Sequence, residues 1–170
     1  AEEVGGGGVG CLGRRIVTEP VDRSTADDGV FAMRFAQVVH ELGTEEQKTK
    51  YLLPMVAGEL QGASAFSEPQ AAGDLAGIKT TIEKTGDGWV INGSKCWISY
   101  AKRVDFILVL TRLKGTERHD GLSWVIVEQG TPGCIIGREQ KMIHGQSTYE
   151  VFFENCVVSD EQLLGGPGQG

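Results

Sequence analysis

Residues 63–74 read ASAFSEPQAAGD, and they stand where the hydrophobic pattern of the chain changes from helical to strand-like. A run of small apolar residues ends in Ser67-Glu68-Pro69, and further small residues lead to Asp74. Pro69 fixes its own backbone φ angle and favours an extended Glu68. Because a plain turn needs only two or three small residues, the stretch predicts a strand end that a large ligand approaches closely.

The pattern before this stretch predicts helices. Apolar residues recur at helical spacing in GVFAMRFAQVVHEL (residues 29–42), and Gly43 follows as a stop signal. Thr44 and Gln47 have the spacing of a capping box. They predict a second helix, which ends at Gly58.

The pattern after residue 59 is typical of a β domain. Short runs of β-forming residues alternate with turn signals, and Asn92-Gly93 is the strongest short hairpin signal among them. So many short strands in one segment predict an antiparallel barrel or sandwich. The predicted strands cover residues 61–66, 78–84, 88–91, 95–99, 105–112, 122–127, 134–137 and 148–158.

The glycine-rich start of the chain carries only a weak motif. Residues 8–13 (GVGCLG) match G-x-G-x-x-G, but the dinucleotide fingerprint requires a preceding strand within a βαβ unit. Residues 1–4 are too short and too acidic for such a strand, and a short helix is expected over residues 11–19. We therefore interpret the motif as a loop that leads into a helix.

Composition argues against several classes of function. The chain has 16 Lys and Arg against 23 Asp and Glu, a net charge of −7, so we predict no nucleic-acid partner. No apolar run reaches the roughly 18 residues of a transmembrane helix, and no secretory signal is visible. The 4 cysteines and 3 histidines are scattered, so no metal site is expected. Cys96 and Cys156 are predicted to be small core residues of a protein in a reducing compartment.

A second stretch has the residue types to bind the same ligand. In a strand over residues 95–99, Trp97 and Ser99 share one face, so an indole and a hydroxyl group lie two residues apart. The indole would stack on a flat heterocycle, and the hydroxyl would hydrogen-bond its edge. Equally open from the residues alone is the alternative that Trp97 belongs to the β core and Ser99 to a strand-end turn.

These stretches resemble the acyl-CoA dehydrogenase family. The family motif T-E-P-x-A-G-S-D corresponds to SEPQAAGD at residues 67–74, and W-I-T corresponds to WIS at residues 97–99. Between them, the family segment that starts with T-T and ends with G-D-x-(Y/W)-x-(I/L)-N-G-x-K corresponds to residues 80–95. Further matches in the family's order lie at residues 43–47, 130–133 and 151–158.

The resemblance implies the fold class α+β, with a helical segment followed by an antiparallel β-barrel domain. Residues 1–58 would form the end of an N-terminal helical domain, residues 59–160 a flavin-binding middle domain, and residues 161–170 a connector to a second helical domain. In this family the catalytic base normally lies in that second helical domain. No catalytic residue is therefore expected within this chain.

The resemblance also implies a function, the FAD-dependent oxidation of an acyl-CoA thioester to the trans-2-enoyl-CoA. The implied partners are the acyl-CoA substrate, an electron-transfer flavoprotein and further copies of the chain in a dimer or tetramer. The implied location is the bacterial cytoplasm or the mitochondrial matrix. Two alternatives stay open: an acyl-CoA oxidase or flavin monooxygenase on the same scaffold, and a non-catalytic partner subunit.

Two segments would hold the flavin in such a protein. Ser67 would hydrogen-bond the pyrimidine side of the isoalloxazine ring, Ser99 would bond its N5 edge, and Trp97 would lie against the ring. Gly73 would contact the flavin phosphates or the pantetheine arm of the substrate, so it is predicted to bind both. The full set of implied cofactor-binding residues is Ser64, Ala65, Phe66, Ser67, Gly73, Trp97, Ile98 and Ser99.

Some positions depart from the family pattern. Ser67 and Ser99 replace threonines and keep the hydroxyl group, whereas Gly73 replaces a serine and cannot form its side-chain hydrogen bond. Tyr100-Ala101 stands where Asn-Gly is common, which puts the geometry of that turn in question.

The loop KGTERHD (residues 114–120) is a candidate basic rim for the phosphates of CoA. Lys114 or Arg118 would make the contact. The favoured alternative is an ordinary solvated hairpin loop.

Overall fold

The computed structural model describes residues 36–71, 73–86, 88–142 and 147–170. The chain divides into two compact units, residues 1–61 and residues 62–170. The helix expected over residues 11–19, the start of the helix expected over residues 29–42 and the glycine-rich motif lie outside the described residues. Within the described ranges, no helix is both long and apolar enough to cross a membrane.

The first unit is helical over most of its described part. Helix α1 covers residues 36–42 and ends before Gly43, whose N–H donates to Val39 O at 2.9 Å. Helix α2 (Glu45–Gln47) starts after Thr44, whose hydroxyl accepts from Gln47 N–H while the Gln47 side chain accepts from Thr44 N–H. The predicted capping box is therefore confirmed.

The second helix contains a π-helical turn that the sequence pattern does not predict. Lys48–Leu52 are π-helical, α3 (Leu53–Ala57) follows, and Gly58 ends the helix in the left-handed conformation, as predicted. Pro54 has no N–H, and its ring would clash with the carbonyl one turn earlier, so the wider turn accommodates it. The buried apolar residues of these turns are Tyr51, Leu52 and Met55.

The second unit is one eight-stranded sheet. Its strands are β1 (Gly62–Ala65), β2 (Thr81–Thr85), β3 (Gly88–Ser99), β4 (Phe106–Leu113), β5 (Leu122–Glu128), β6 (Cys134–Lys141), β7 (Ser147–Ser159) and β8 (Leu163–Leu164). Hydrogen-bonded neighbours follow in the order β6-β7-β3-β2-β4-β5-β8, and β1 pairs with β4. The change from helices to short strands is therefore confirmed.

The sheet is not purely antiparallel, and in this respect the predicted fold class is wrong. Strand β4 pairs in parallel with both β1 and β2. The reason is that residues 66–80 leave the sheet after β1 and return to the same edge of β4, so both strands run in its direction. Among the described strands, pairing runs from β6 to β8 and no pairing joins these two ends, so closure into a barrel stays a prediction.

The hairpin turn predicted at Asn92-Gly93 is also wrong, because β3 continues through both residues. Gly93 has a φ of 147°, and a Cβ atom there would lie 2.6 Å from Thr80 Cα. Asn92 Oδ1 accepts from Asn155 N–H at 2.8 Å, where β7 carries an extra residue and Asn155 has a φ of 48°. The two residues therefore accommodate a bulge and a close backbone approach rather than a chain reversal.

The main core lies on one face of the sheet. Tyr149 and Phe153 of β7 are buried in it, whereas Phe152 between them is 37% exposed, so successive β7 residues face opposite sides. Cys96 and Cys156 are buried, as predicted. Further members of the core are Ala63, Ala65, Ile82, Ile91, Ile98, Val109, Val125 and Val151.

Candidate functional site

The two segments predicted to hold a ligand lie side by side at a gap in the sheet. Strands β1 and β2 pair with successive parts of β4, at residues 106–109 and 112–113, and residues 66–80 leave the sheet between them. The second half of β3 runs past this gap. There, Cys96 N–H donates to Ser67 O at 3.0 Å. The strand end of the first segment is thereby joined to the start of the second.

A buried ion pair occupies the gap. Lys95 Nζ lies 2.7 Å from Glu68 Oε1, and the two side chains are 0% and 1% exposed. Lys95 Nζ also donates to Phe66 O at 3.3 Å. The Glu68 carboxylate accepts the backbone N–H of Lys79 at 2.6 Å and that of Thr80 at 3.0 Å. One carboxylate therefore joins β3 to both ends of the segment between β1 and β2.

The environment of this pair favours the ionised carboxylate. Burial raises the pKa of Glu68, but the hydrogen bonds from Lys95, Thr80 and Lys79 outweigh burial and hold the pKa below its usual range. Burial lowers the pKa of Lys95, and the hydrogen bond and charge of Glu68 offset this only in part. We take the pair as charged at neutral pH, because each partner would otherwise leave a buried polar group unpaired.

Arg112 holds the same segment through its carbonyl groups. The guanidinium group is buried and donates to Ala76 O at 2.8 Å, Ile78 O at 3.2 Å and Asp120 O at 3.0 Å. Within residues 66–80, two backbone N–H groups therefore donate to the Glu68 carboxylate, and two backbone C=O groups accept from the Arg112 guanidinium. This double set of charge-assisted bonds fixes the backbone that leads away from Ser67.

Two large aromatic side chains are exposed where the segments meet. Phe66 is 41% exposed and Trp97 is 59% exposed. The interpretation of Trp97 as a core residue is therefore wrong. A flat ligand that lies on the indole would remove this apolar surface from water.

A bulge explains why Trp97 points outward. Between Lys95 and Ile98, β3 advances by three residues while its partner β7 advances by two. The extra residue accompanies a φ of 61° at Trp97, in the left-handed region. A bulky residue in that region costs of order 1–3 kcal/mol and persists only where the surrounding structure imposes it.

The other predicted site residues occupy several environments. Ala65 and Ile98 are buried in the core, so only their backbone is available to a ligand. Ser67 and Ser99 are partly buried, as is Ser64 in β1. Gly73 is exposed, and a Cβ atom built there would meet nothing within 4 Å. Contact of these residues with a flavin stays a prediction.

The turn after β3 places Tyr100 in the left-handed conformation. Tyr100 has a φ of 57°, the region in which Asn is far more common. Its N–H donates to Ser147 O at 3.1 Å, and its carbonyl accepts from Arg103 N–H at 2.7 Å. Tyr100 therefore adopts the conformation that the family's Asn would adopt with less strain.

The candidate basic loop is exposed in the structure. Lys114 Nζ lies 2.6 Å from Glu83 Oε2 in an exposed ion pair, and Arg118 is exposed with a φ of 55°. Its role toward CoA stays a prediction. Among the described residues, no group of His, Cys, Asp and Glu side chains could hold a metal ion.

Sequence reasoning missed the role of Lys95. The sequence predicted an extended backbone at Glu68 but no partner for its carboxylate. The available signal was a lysine at the start of a predicted strand, directly before Cys96 and Trp97, together with a glutamate held extended by Pro69.

We predict that Lys95→Met destabilises the protein by about 3–5 kcal/mol, because it leaves the Glu68 carboxylate buried without its cation. The double variant Glu68→Gln/Lys95→Met should lose less, since no unpaired charge remains. The matched control is Lys114→Met, which removes the same atoms from an exposed pair and should cost less than about 1 kcal/mol. Urea unfolding of the four proteins measures these differences, and equal losses for the two single variants would contradict the assignment.

Acid should remove the stabilisation that Glu68 contributes. Its pKa is lower in the folded than in the unfolded protein, so the contribution is complete above the unfolded-state pKa and disappears as the pH falls through the folded-state pKa. The unfolding free energy of the wild-type protein should therefore fall more steeply with acidification than that of Glu68→Gln/Lys95→Met. Parallel pH profiles of the two proteins would show that Glu68 is not the group involved.

Comparison with known proteins identifies the fold family. The profile described as "Acyl-CoA dehydrogenase, middle domain" matches residues 63–156, and "Acyl-CoA dehydrogenase, N-terminal domain" matches residues 1–59. The crystal structure of acyl-CoA dehydrogenase from Geobacillus kaustophilus superposes with a TM-score of 0.86 at 33% identity, over 100% of this chain and 47% of that one.

Curated relatives agree with this. The chain is 36% identical to "Acyl-CoA dehydrogenase, short-chain specific" of Clostridium acetobutylicum, over 100% of its own length and 46% of that protein. It is 33% identical to "Short-chain specific acyl-CoA dehydrogenase, mitochondrial" of Homo sapiens, over 99% of its length and 42% of that protein. The chain therefore spans less than half the length of these relatives. With both profiles, the sequence relatives and the superposition in agreement, the chain belongs to the acyl-CoA dehydrogenase family.

Proposed function

We propose that this chain forms the flavin-binding part of an FAD-dependent acyl-CoA dehydrogenase, which oxidises an acyl-CoA thioester to the trans-2-enoyl-CoA. The observation that carries the proposal is the hydrogen bond from Cys96 N–H to Ser67 O, which sets two hydroxyl-bearing segments beside an exposed indole. Membership of the family supports the same class of reaction. When bound, FAD accepts the hydrogen from the substrate β-carbon as a hydride.

The residues at the gap have the chemistry to hold an isoalloxazine ring. Trp97 and Phe66 offer exposed aromatic surface to its plane. Ser67 is proposed to hydrogen-bond the pyrimidine side of the ring and Ser99 its N5 edge, which would fix the orientation of N5 toward the substrate. Gly73 is proposed to lie beside the flavin phosphates or the pantetheine arm, and the open space around it allows a close approach.

The domain organisation is proposed from membership of the family. Residues 1–58 would belong to an N-terminal helical domain, residues 59–160 to a middle β barrel and residues 161–170 to a connector toward a second helical domain. We assign the catalytic base to no residue of this chain. The proposed electron acceptor is an electron-transfer flavoprotein, and the proposed assembly is a dimer or tetramer in the bacterial cytoplasm or the mitochondrial matrix.

The function is tested by adding acyl-CoA thioesters to the full-length, flavin-containing protein without oxygen. Loss of the yellow absorbance, followed by slow reoxidation when air is admitted, is the result that a dehydrogenase should give. Rapid reoxidation by oxygen would instead identify an oxidase or monooxygenase. A purified protein that binds no FAD, even after incubation with excess FAD, would contradict the proposal and favour a non-catalytic partner subunit.

The role of Trp97 is tested by its affinity for FAD. Trp97→Phe keeps an aromatic plane and should bind FAD almost as well as the wild-type protein. Trp97→Ala should bind about 3- to 10-fold more weakly, the size expected for the loss of one aromatic stacking contact. Phe152→Ala is the control, since it removes another exposed ring from β7. Fluorescence titration of the four apoproteins with FAD measures their dissociation constants, and equal affinities for Trp97→Ala and wild type would exclude the contact.

A further inference from the structure

Arg112 joins two loops that are far apart in the sequence. Its Nη2 donates to Ala76 O at 2.8 Å, and its Nη1 donates to Asp120 O at 3.0 Å. Ala76 belongs to the turn over residues 73–77, the Gly73 turn, and Asp120 belongs to the β4–β5 loop over residues 114–120. Because two nitrogens of one planar group make these contacts, the backbones of the two loops lie within the span of one side chain.

Each loop is a compact turn with an exposed outer side. In the Gly73 turn, Asp74 Oδ1 accepts from Ala76 N–H at 3.1 Å. In the β4–β5 loop, the Thr116 hydroxyl donates to Leu113 O at 2.7 Å. Local bonds of this kind fix the shape of each turn, whereas the bonds from Arg112 fix how the two turns stand relative to each other.

The guanidinium group of Arg112 is used entirely on backbone. It is buried, and its third side-chain bond goes to Ile78 O at 3.2 Å. No carboxylate of the described residues lies within ion-pair distance of it, in contrast to Lys95, which is paired with Glu68. Burial of a cation costs free energy that an anionic partner usually offsets. Three carbonyl groups in two loops take that place here, so what Arg112 determines is backbone position.

We propose that Arg112 is a positioning residue for the phosphate-bearing chain of a bound nucleotide, because it sets the Gly73 turn and the β4–β5 loop into one wall. This inference rests on the proposed function. Gly73 is proposed to lie beside the flavin phosphates or the pantetheine arm, and the β4–β5 loop carries the exposed Arg118. CoA and FAD both contain a pyrophosphate-linked nucleotide, which is the ligand chemistry that such a wall would hold.

The first test compares two thioesters in the full-length, flavin-containing protein. Arg112→Lys keeps the positive charge but not the planar fork, so it cannot hold three carbonyl groups in two loops. If the wall holds CoA, the KM for an acyl-CoA should rise about tenfold, the cost of ordering loops that are no longer fixed. The kcat, and the KM for the matching acyl-pantetheine thioester, which lacks the nucleotide, should stay within about twofold. The control is Arg138→Lys, since Arg138 is exposed on β6 and should leave all three constants unchanged.

The second test asks whether the wall holds the nucleotide of FAD instead. Titration of the apoproteins with FAD and with riboflavin measures the contribution of the phosphate-bearing chain. If this chain lies on the wall, Arg112→Lys should weaken FAD binding about tenfold and riboflavin binding less than twofold. A selective loss in either test supports the inference and identifies the nucleotide that is held.

A merely structural role of Arg112 would act on all ligands alike. Equal losses for acyl-CoA and acyl-pantetheine together with equal losses for FAD and riboflavin overturn the inference, and so does an Arg112→Lys protein with wild-type constants. Both results leave the proposed function intact. A wild-type protein that binds no FAD and oxidises no acyl-CoA overturns the proposed function as well.

Hydrogen exchange of the wild-type protein gives a reading that needs no variant, in case Arg112→Lys does not fold. Addition of CoA or of FAD should slow amide exchange in residues 73–77 and in residues 115–120 together, since the two loops form one wall. Slower exchange in only one of the loops, or in neither, contradicts the inference.

Discussion

The buried ion pair between Glu68 and Lys95 is the contact on which the geometry of the candidate site depends. Two strands share one edge of β4, and the chain between them has to leave the sheet and return to it. Without Glu68, the backbone N–H of Thr80 would be buried and unpaired, and the partly buried N–H of Lys79 would lose its acceptor. The Glu68 carboxylate accepts both and also binds the ammonium group from β3. A neutral side chain of the same size could not accept all three bonds.

A buried ion pair of this kind contributes little net free energy to folding. Desolvation of two charges offsets most of their attraction, and well-packed apolar residues would often be as stable. What the pair adds is position, since a carboxylate that accepts from Lys95, two backbone N–H groups and the Gln70 side chain permits one placement of the strand end beside β3. The family's E-P and N-G-x-K elements, which lie far apart in the motif, meet in this chain as the two members of the pair, Glu68 and Lys95. The motif therefore records a structural requirement, the pairing of two distant segments.

The strained backbone of Trp97, next to this pair, is consistent with a ligand-binding role. Lys95 is fixed by its anion, while Trp97 two residues later is left-handed and exposed. An exposed indole in an unfavourable conformation makes no evident contribution to the stability of the β unit. A bound ring would cover it and use the conformation already imposed by the bulge. Tyr100 has the same type of backbone strain at the end of the strand, where an Asn would relieve it.

Local sequence signals predicted local structure well. The capping box at Thr44, the helix end at Gly58 and most strand positions depend on neighbouring residues, and the structure confirms them. Contacts between distant residues were not predictable from such signals. Glu68 and Lys95 are 27 residues apart, and nothing local shows that Asn92-Gly93 serves a bulge in β7 instead of a turn. The parallel pairing of β4 with β1 and β2 is likewise a property of the path of residues 66–80, which no periodicity reveals.

The resemblance to the family added what the residues alone left open. Composition and alternation placed Trp97 equally well in the core or against a ligand, and only the structure excludes the core.

The most direct measurement is a crystal structure of the full-length protein with FAD bound. We predict an isoalloxazine ring that lies against Trp97, with its polar edges within hydrogen-bond distance of the hydroxyl groups of Ser67 and Ser99, and with the Glu68–Lys95 pair intact beneath it. A flavin bound elsewhere, with these three side chains in contact with water or with another part of the protein, would contradict it.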